Sequence, residues 1–369
     1  MSPTSTFTSI PILDLSLARD AQTKPAFLAD LRHALLTVGF LYITNTGIPP
    51  DLISTVISQT HSFFSLPMEE KLRIEMKNAN SFLGYSRLDN EITAHKIDHR
   101  EQLDLSTPHP LPAPGSPLYK NLLAPNQWPS PTMLPTFRPI FEDYITRMSH
   151  LATEFTSLIA ESIGLPATAF DRFFDKDQQH KLKLVKYPDT STTTTTLTDD
   201  EEKPITSQGV GPHKDSMLTS YLLQATPHRG LQAQNATGDW IDCPPLPSTL
   251  IVAIGQGQGL EAITAGVCRS TTHRVVSPAA GSGARYSIPF FQGVSYDAKF
   301  ESMEGWIPEE VLGLRSQERR GGGDSDGGVE FTFKMGRWDC LGEATLANRV
   351  KSHRDVGEVW YPELLREVG

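Results

Sequence analysis

A chain of 369 residues with 38% hydrophobic and 21% charged residues can bury a sizeable core, as two average domains or one large β-rich domain with additions. Its net charge of −10 and its lack of any Lys/Arg cluster argue against a nucleic-acid binder, which must neutralise phosphates with basic patches. No apolar run approaches the ~20 residues that cross a bilayer, and MSPTSTFTSIPILDLS lacks the basic and apolar regions of a secretory signal, so no membrane partner is expected.

In chain order, Ile10 to Leu15 (IPILDL) reads as a short opening strand. From Lys24 to Val38, Phe27, Leu28, Leu31, Ala34, Leu35 and Val38 recur at i, i+3, i+4 and i+7, the spacing of an amphipathic helix. Gly39 stops it, and FLYIT, aromatic and β-branched, predicts a strand. Pro49 and Pro50 open a second helix reaching Phe64, and Pro67 begins a third, short one. These first 75 or so residues predict a compact α/β cap.

Thr107 to Pro135 is Pro-rich and reads as a long irregular connection. Arg138 to Ile163 predicts a long bracing helix with Ile140, Tyr144, Met148, Leu151, Phe155 and Leu158 on one face, ended by Gly164-Leu165-Pro166. Six strand-like segments follow: Leu182–Tyr187, Leu218–Gln224, Leu231–Gln234, Thr249–Gly255, Ser270–Val276 and Arg285–Phe291. Short strands punctuated by Gly, Pro and Asn are the pattern of a sandwich or barrel. Asp189–Pro204 and Arg320–Gly328 are too polar or Gly-rich to order themselves and read as mobile insertions. Cys243, Cys268 and Cys340 are widely spaced and form no C-x-x-C pair, which suits a reducing compartment. A cytoplasmic protein is expected, as a monomer with homo-oligomers left open.

His213-Lys214-Asp215 is an H-x-D. In an extended segment its imidazole and carboxylate would share a face and converge on one ion. Alone the motif means little, since His353-Arg354-Asp355 repeats it in a segment that reads as a solvated C-terminal helix face. Context separates the two copies. His213 precedes a predicted strand, and His273 lies in the β-branched run RSTTHRVV. Two His and one carboxylate form the facial triad of non-haem Fe(II) oxygenases, which leaves coordination sites open for substrate and O2. Arg285 and Ser287 then share one face of the next strand, where a guanidinium and a hydroxyl can grip an organic acid.

HKD, TTHRVV and RYSIPFF, in that order, resemble the isopenicillin N synthase-like branch of the 2-oxoglutarate- and Fe(II)-dependent dioxygenases. IPILDL, GFLYITNTGIP, FFSLPMEEK and SFLGYSR resemble the N-terminal module of that family, LKLVKYP resembles its strand that carries a Tyr beside the co-substrate, and GDWIDCPPLPSTLIVAIG resembles its hairpin between the metal ligands. The resemblance implies a mainly β fold with flanking helices, a distorted double-stranded β-helix (jelly roll) with an N-terminal α/β module. It implies a module over residues 1–106, connection and bracing helices over 107–180, the catalytic core over 181–300, and a helical extension with a Gly-rich loop over 301–369.

By position, the resemblance makes His213, Asp215 and His273 the iron ligands, and it assigns Arg285, Ser287 and Tyr187 to 2-oxoglutarate. O2 would be the other co-substrate, and Tyr85, Arg87, Phe291 and Gln292 are candidate contacts to a small-molecule substrate. The implied chemistry is hydroxylation, desaturation, or ring formation or rearrangement, in specialised metabolism. Departures from the family pattern surround the site: Val185 replaces an Asn common two residues before the Tyr, the loop GQGQGLEAITAG looks lengthened, and a Thr-rich stretch precedes HKD. His228, at a predicted turn, is expected to be exposed. Two alternatives stay open: an Fe(II) oxidase that needs no 2-oxoglutarate, and a non-catalytic β-barrel binding protein.

Overall fold

The structure is a computed structural model that describes residues 6–93, 96–192, 208–257, 259–319 and 338–368. Most of the Asp189–Pro204 segment and all of Arg320–Gly328 lie outside these residues.

Strand β1 (Ile12–Asp14) leads into helix α1 (Lys24–Thr37), which Gly39 terminates at φ +65° while its N–H donates to the Ala34 carbonyl at 2.8 Å. Strand β2 (Phe40–Thr44) and helices α2 (Pro50–Phe64) and α3 (Met68–Leu72) follow, at the predicted places. Four further strands come before the connection: β3 (Gly84–Ser86), β4 (Glu91–Thr93), β5 (Lys96–Asp98) and β6 (Glu101–Ser106). After it come the long helix α4 (Phe137–Ser162) and strands β7 (Lys181–Tyr187), β8 (Gln208–His213), β9 (Thr219–Gln224), β10 (Leu231–Gln234), β11 (Trp240–Asp242) and β12 (Thr249–Ile254). Short helix α5 (Leu260–Ile263) precedes β13 (His273–Val276) and β14 (Arg285–Gln292), and four helices follow among the described residues: α6 (Glu309–Arg319), α7 (Leu341–Ser352), α8 (Arg354–Trp360) and α9 (Pro362–Val368).

Eight strands form the major sheet in the order β1-β2-β12-β9-β14-β7-β6-β3, and four form the minor sheet in the order β11-β10-β13-β8. Apart from the parallel β1–β2 pair, neighbours in both are antiparallel, as in a jelly roll. The cap expected from the first 75 residues is therefore not a layer of its own: β1 and β2 extend the major sheet through β12. Periodicity identifies a strand but not its partner.

Alternation along each strand builds two cores. On one face of the major sheet, Leu41, Ile43, Leu182, Leu184, Ile288 and Phe290 pack with Phe27, Leu31, Phe63, Phe141 and Phe155 of the helices. Burial of an aromatic or branched side chain contributes about 1.5–3 kcal/mol, so this helix-covered face anchors the sheet. On the other face, Phe40, Tyr42, Val185 and Tyr187 meet Val210, Ala233 and Val275 of the minor sheet. Both faces are buried, which is why FLYIT is apolar throughout.

The strands without a sequence signal have physical reasons for their disguise. All six residues of β6 are buried although its sequence is EQLDLS, because Glu101 pairs with Lys71 and Lys186 (2.8 Å each) and Asp104 with Lys183 (3.3 Å). Strand β8, QGVGPH, has two glycines and a proline of low strand propensity, tolerated at the edge of the minor sheet.

The C-terminal H-R-D is a correction. His353 is not solvated but buried at the α7–α8 junction, edge-on to Phe82 (5.8 Å between ring centroids), with Nε2 3.5 Å from Glu91. Helical spacing marks a face without revealing that the junction docks on β4. No described helix is long and apolar enough to cross a membrane.

Candidate functional site

Antiparallel pairing of β8 with β13 sets His213 directly opposite His273, with ring centroids 4.3 Å apart. Asp215 follows two residues after His213, and its Oδ1 lies 3.6 Å from His213 Nε2 and 3.7 Å from His273 Nε2. Among the described residues these three form the group of His, Cys, Asp or Glu side chains that could hold a metal ion. Atoms that each sit ~2.0–2.2 Å from one ion can be no more than ~4.4 Å apart, so both separations fall within reach of a single metal.

The tautomers suit that use. His213 Nδ1 lies 2.8 Å from the Gly211 carbonyl and His273 Nδ1 lies 3.1 Å from the Thr271 carbonyl. Each Nδ1–H can donate to an acceptor that cannot be a donor, so each Nε2 keeps its lone pair for a metal. Phe40 packs on the His273 ring at 5.3 Å and holds its plane. Burial in the cavity wall and the adjoining His273 push the His213 imidazole down to about 4, although a third of its side chain faces open space; it is neutral at physiological pH, as a ligand must be. Three ligands of N and O type are too few for a closed structural zinc site and match an open catalytic one.

The triad opens on a cavity of about 360 Å³ between the two sheets and α7. On its wall, β14 and β7 pair Arg285 with Tyr187 and Ser287 with Val185, so the four face the cavity as a patch. Arg285 is fully buried, its Cζ 5.1 Å from the Tyr187 ring centroid. Nη2 donates to Gln224 Oε1 at 3.1 Å, while Nε and Nη1 have no hydrogen-bond partner. Burial draws the Arg285 pKa below its ordinary value, and the Tyr187 side chain opposes that shift. A buried guanidinium with two idle donors calls for an anion, and a carboxylate presents two oxygens at matching spacing.

The four weaker substrate candidates divide. Phe291 lines the cavity. Gln292 does not: one residue further along β14, it points to the helix side, where Oε1 accepts from Thr156 (2.8 Å) and Thr219 (2.7 Å). Strand parity decides between them. Tyr85 lies in the helix-covered core with Oη 2.6 Å from Glu101, and Arg87 pairs with Glu75 at 2.5 Å, so neither reaches the cavity. His228 also lies outside it, with Nε2 2.8 Å from the Ser282 carbonyl.

Beyond Arg285 and the Lys214 of H-x-D, the sequence reading missed the cationic lining of the cavity: Arg100, Lys181, Lys183 and Arg349. Two of them carried a signal, because Lys181 and Lys183 share parity with Tyr187 on β7.

Residues 10–131 match the family model of the N-terminal region of the non-haem dioxygenase in morphine synthesis, and residues 179–294 match that of the 2OG-Fe(II) oxygenase superfamily. The chain is 67% identical to the 2-oxoglutarate-dependent dioxygenase frbJ of Dothideomycetidae sp. (strain 11243), covering 97% of this chain and 94% of that protein. It is 31% identical to homoarginine-6-hydroxylase 2-ODD-233 of Oryza sativa subsp. japonica, over 85% of this chain and 94% of that one. Among solved structures, a full-length Neurospora crassa protein in complex with alpha-KG aligns with a TM-score of 0.66 at 26% identity, over 82% of this chain and 91% of the other.

Proposed function

This chain belongs to the 2OG-Fe(II) oxygenase superfamily, and from that premise we propose that His213, Asp215 and His273 hold its iron while Arg285, Ser287 and Tyr187 hold 2-oxoglutarate. It is a 2-oxoglutarate-dependent dioxygenase, an enzyme that uses Fe(II), 2-oxoglutarate and O2. Iron with its co-substrate, when bound, supplies the oxidation of an unactivated C–H bond by O2. The protein's own residues bind, orient and exclude water. His213 and His273 offer neutral Nε2 lone pairs fixed by their Nδ1–H bonds, and Asp215 adds one negative charge. Arg285 grips the carboxylate far from the metal, with Tyr187 packed against its guanidinium. Leu222, Val210, Leu231 and Val275 keep the cavity wall apolar around them.

The observation that carries this assignment is Arg285, buried with two idle donors on the wall of the cavity that the triad opens on. The substrate is a small molecule of specialised metabolism, and hydroxylation is the favoured outcome among those the site allows, since the rice relative is named a hydroxylase. Anaerobic addition of Fe(II) and 2-oxoglutarate should produce the visible charge-transfer band of the chelate. His213→Ala should abolish that band, and an unchanged band in His213→Ala would overturn the ligand assignment. Turnover with no 2-oxoglutarate and no succinate released would instead favour the co-substrate-independent oxidase.

A further inference from the structure

Pairing of β14 with β7 runs from Arg285 opposite Tyr187, through Ser287 opposite Val185, to Phe291 opposite Lys181. On β7 the side chains facing the cavity are therefore Tyr187, Val185, Lys183 and Lys181. At about 3.3 Å per residue, Lys183 lies about 13 Å and Lys181 about 20 Å along the strand from Tyr187. The cavity thus has a second basic pole, remote from the Arg285 pole that serves the co-substrate.

Carboxylates account for only part of that second pole. Lys183 pairs with Asp104 (3.3 Å); Arg100, which precedes the Glu101–Lys186 pair and so starts toward the Tyr187 end, pairs with Glu91 (2.9 Å) and Asp98 (3.1 Å). Lys181 and Arg349 have no carboxylate within ion-pair distance among the described residues. Lys181 is buried, and its one hydrogen bond goes to the Leu122 carbonyl at 3.2 Å. Arg349 is half-buried on the face of α7 that lines the cavity, together with Asn348 and Ser352. Among the described residues Asp215 is the one carboxylate in the lining, and it belongs to the metal triad. Burial and the charge of Arg349 push the Lys181 ammonium down to about 7, against the opposing pull of Asp104, which already pairs with Lys183. Two neighbouring cations that share no carboxylate of their own are costly to keep charged, and an anion between them would favour the charged ammonium.

We infer that Lys181 and Arg349 bind an anionic group of the substrate at the end of the cavity remote from Arg285, so that this enzyme oxidises an acid. The inference rests on the assignment of Arg285 to 2-oxoglutarate; it adds the substrate's charge and the residues that read it. Lys183 and Arg100, held by their own carboxylates, add a positive field without being consumed by it. A carboxylate and a phosphate share the required chemistry.

The test uses the full chain and needs neither turnover nor a known substrate. Thermal unfolding is followed with sodium acetate and with inorganic phosphate as probes, against sodium chloride at equal ionic strength, in the wild type, Arg285→Gln, Lys181→Met and Arg349→Gln. At least one probe should raise Tm saturably by a few degrees. That rise should persist in Arg285→Gln and be lost in Lys181→Met and Arg349→Gln. The probe that acts identifies the group as carboxylate or phosphate. A rise lost only in Arg285→Gln, or no saturable rise with either probe, overturns the inference. Arg349 is half-exposed, so its variant should fold even if Lys181→Met does not. Failure of the iron and 2-oxoglutarate assignment would appear separately, as loss of the anaerobic chelate band with the anion response intact.

Discussion

Arg285 and Tyr187 face one another across β14 and β7, the guanidinium carbon 5.1 Å from the ring centroid, and Arg285 Nε and Nη1 have no acceptor among the described residues. A neighbour that packs against a cation without neutralising it keeps that cation oriented and available. The Arg285 end of the cavity is thus built before any ligand arrives.

Arg285→Ala should therefore weaken 2-oxoglutarate and leave the fold intact. Charge-assisted hydrogen bonds contribute about 1.5–3 kcal/mol, so the KM for 2-oxoglutarate should rise about 10- to 150-fold. Arg285→Lys keeps the charge without the fork and should fall between. Steady-state succinate release against 2-oxoglutarate concentration checks this, and an unchanged KM in Arg285→Ala would place the co-substrate elsewhere.

Metal binding should stabilise the protein through the triad. At a metal concentration one hundred times Kd, binding to the folded state alone adds about 2.7 kcal/mol. Mn(II), which needs no anaerobic handling, should raise Tm of the wild type, and a chelator should reverse the rise. Asp215→Ala and His273→Ala should lose the response, whereas His228→Ala, outside the cavity, should keep it. Calorimetry across the four proteins reads the difference directly.

His180 should make the fold acid-sensitive. Its Nδ1 accepts a hydrogen bond from Gly293 N–H at 3.2 Å, which requires an unprotonated Nδ1, and burial, with a contribution from His109, pushes the imidazole from its ordinary 6.5 down to about 4. Between these values the unfolded chain binds more protons than the folded one, so stability falls as pH falls from 6.5 toward 4. The loss at pH 5 should be about 2 kcal/mol relative to pH 7.5, on the order that such a shift dictates. His180→Asn, which retains an acceptor but does not titrate, should flatten this part of the urea-midpoint profile. An equal slope in the variant would assign the acid sensitivity to other groups.

Gly39→Ala should destabilise the protein and press on the segment that supports His273, because its Cβ would also lie 3.2 Å from Thr271 Oγ1. Gly39 sits at φ +65°, and a Cβ there would lie 1.9 Å from the Arg269 carbonyl oxygen, a rigid backbone atom. Left-handed backbone alone costs about 1–2 kcal/mol in a residue with a side chain, and the clash adds to it. Urea unfolding should show a loss of at least about 2 kcal/mol, and a smaller loss would mean that the Arg269 segment gives way readily.

Much of this molecule was legible as a string. FLYIT, LKLVKY and RYSIPFF show the strands through side-chain chemistry, and order and parity single out His213, Asp215, His273, Arg285 and Ser287 as candidate site residues, which the structure brings to one cavity. Other parts were not. β6 is hidden because its acids are buried against lysines from other segments, Lys71 and Lys186 among them. Tyr85 and Gln292 read as pocket residues until the sheet placed one in the helix-covered core and turned the other toward α4.

The sequence by itself determined what local periodicity and residue chemistry can carry: the strands, the helices, a candidate donor set for a metal and a candidate cation for an organic acid. The tertiary structure alone decided which elements are neighbours. Pairing of β8 with β13 sets His213 against His273, 60 residues later in the chain, and the packing of α7 brings Arg349 to the cavity that Lys181 lines. A charge's meaning depends on its partner, and partners distant in sequence are chosen by sheet register and helix packing, which no local pattern encodes.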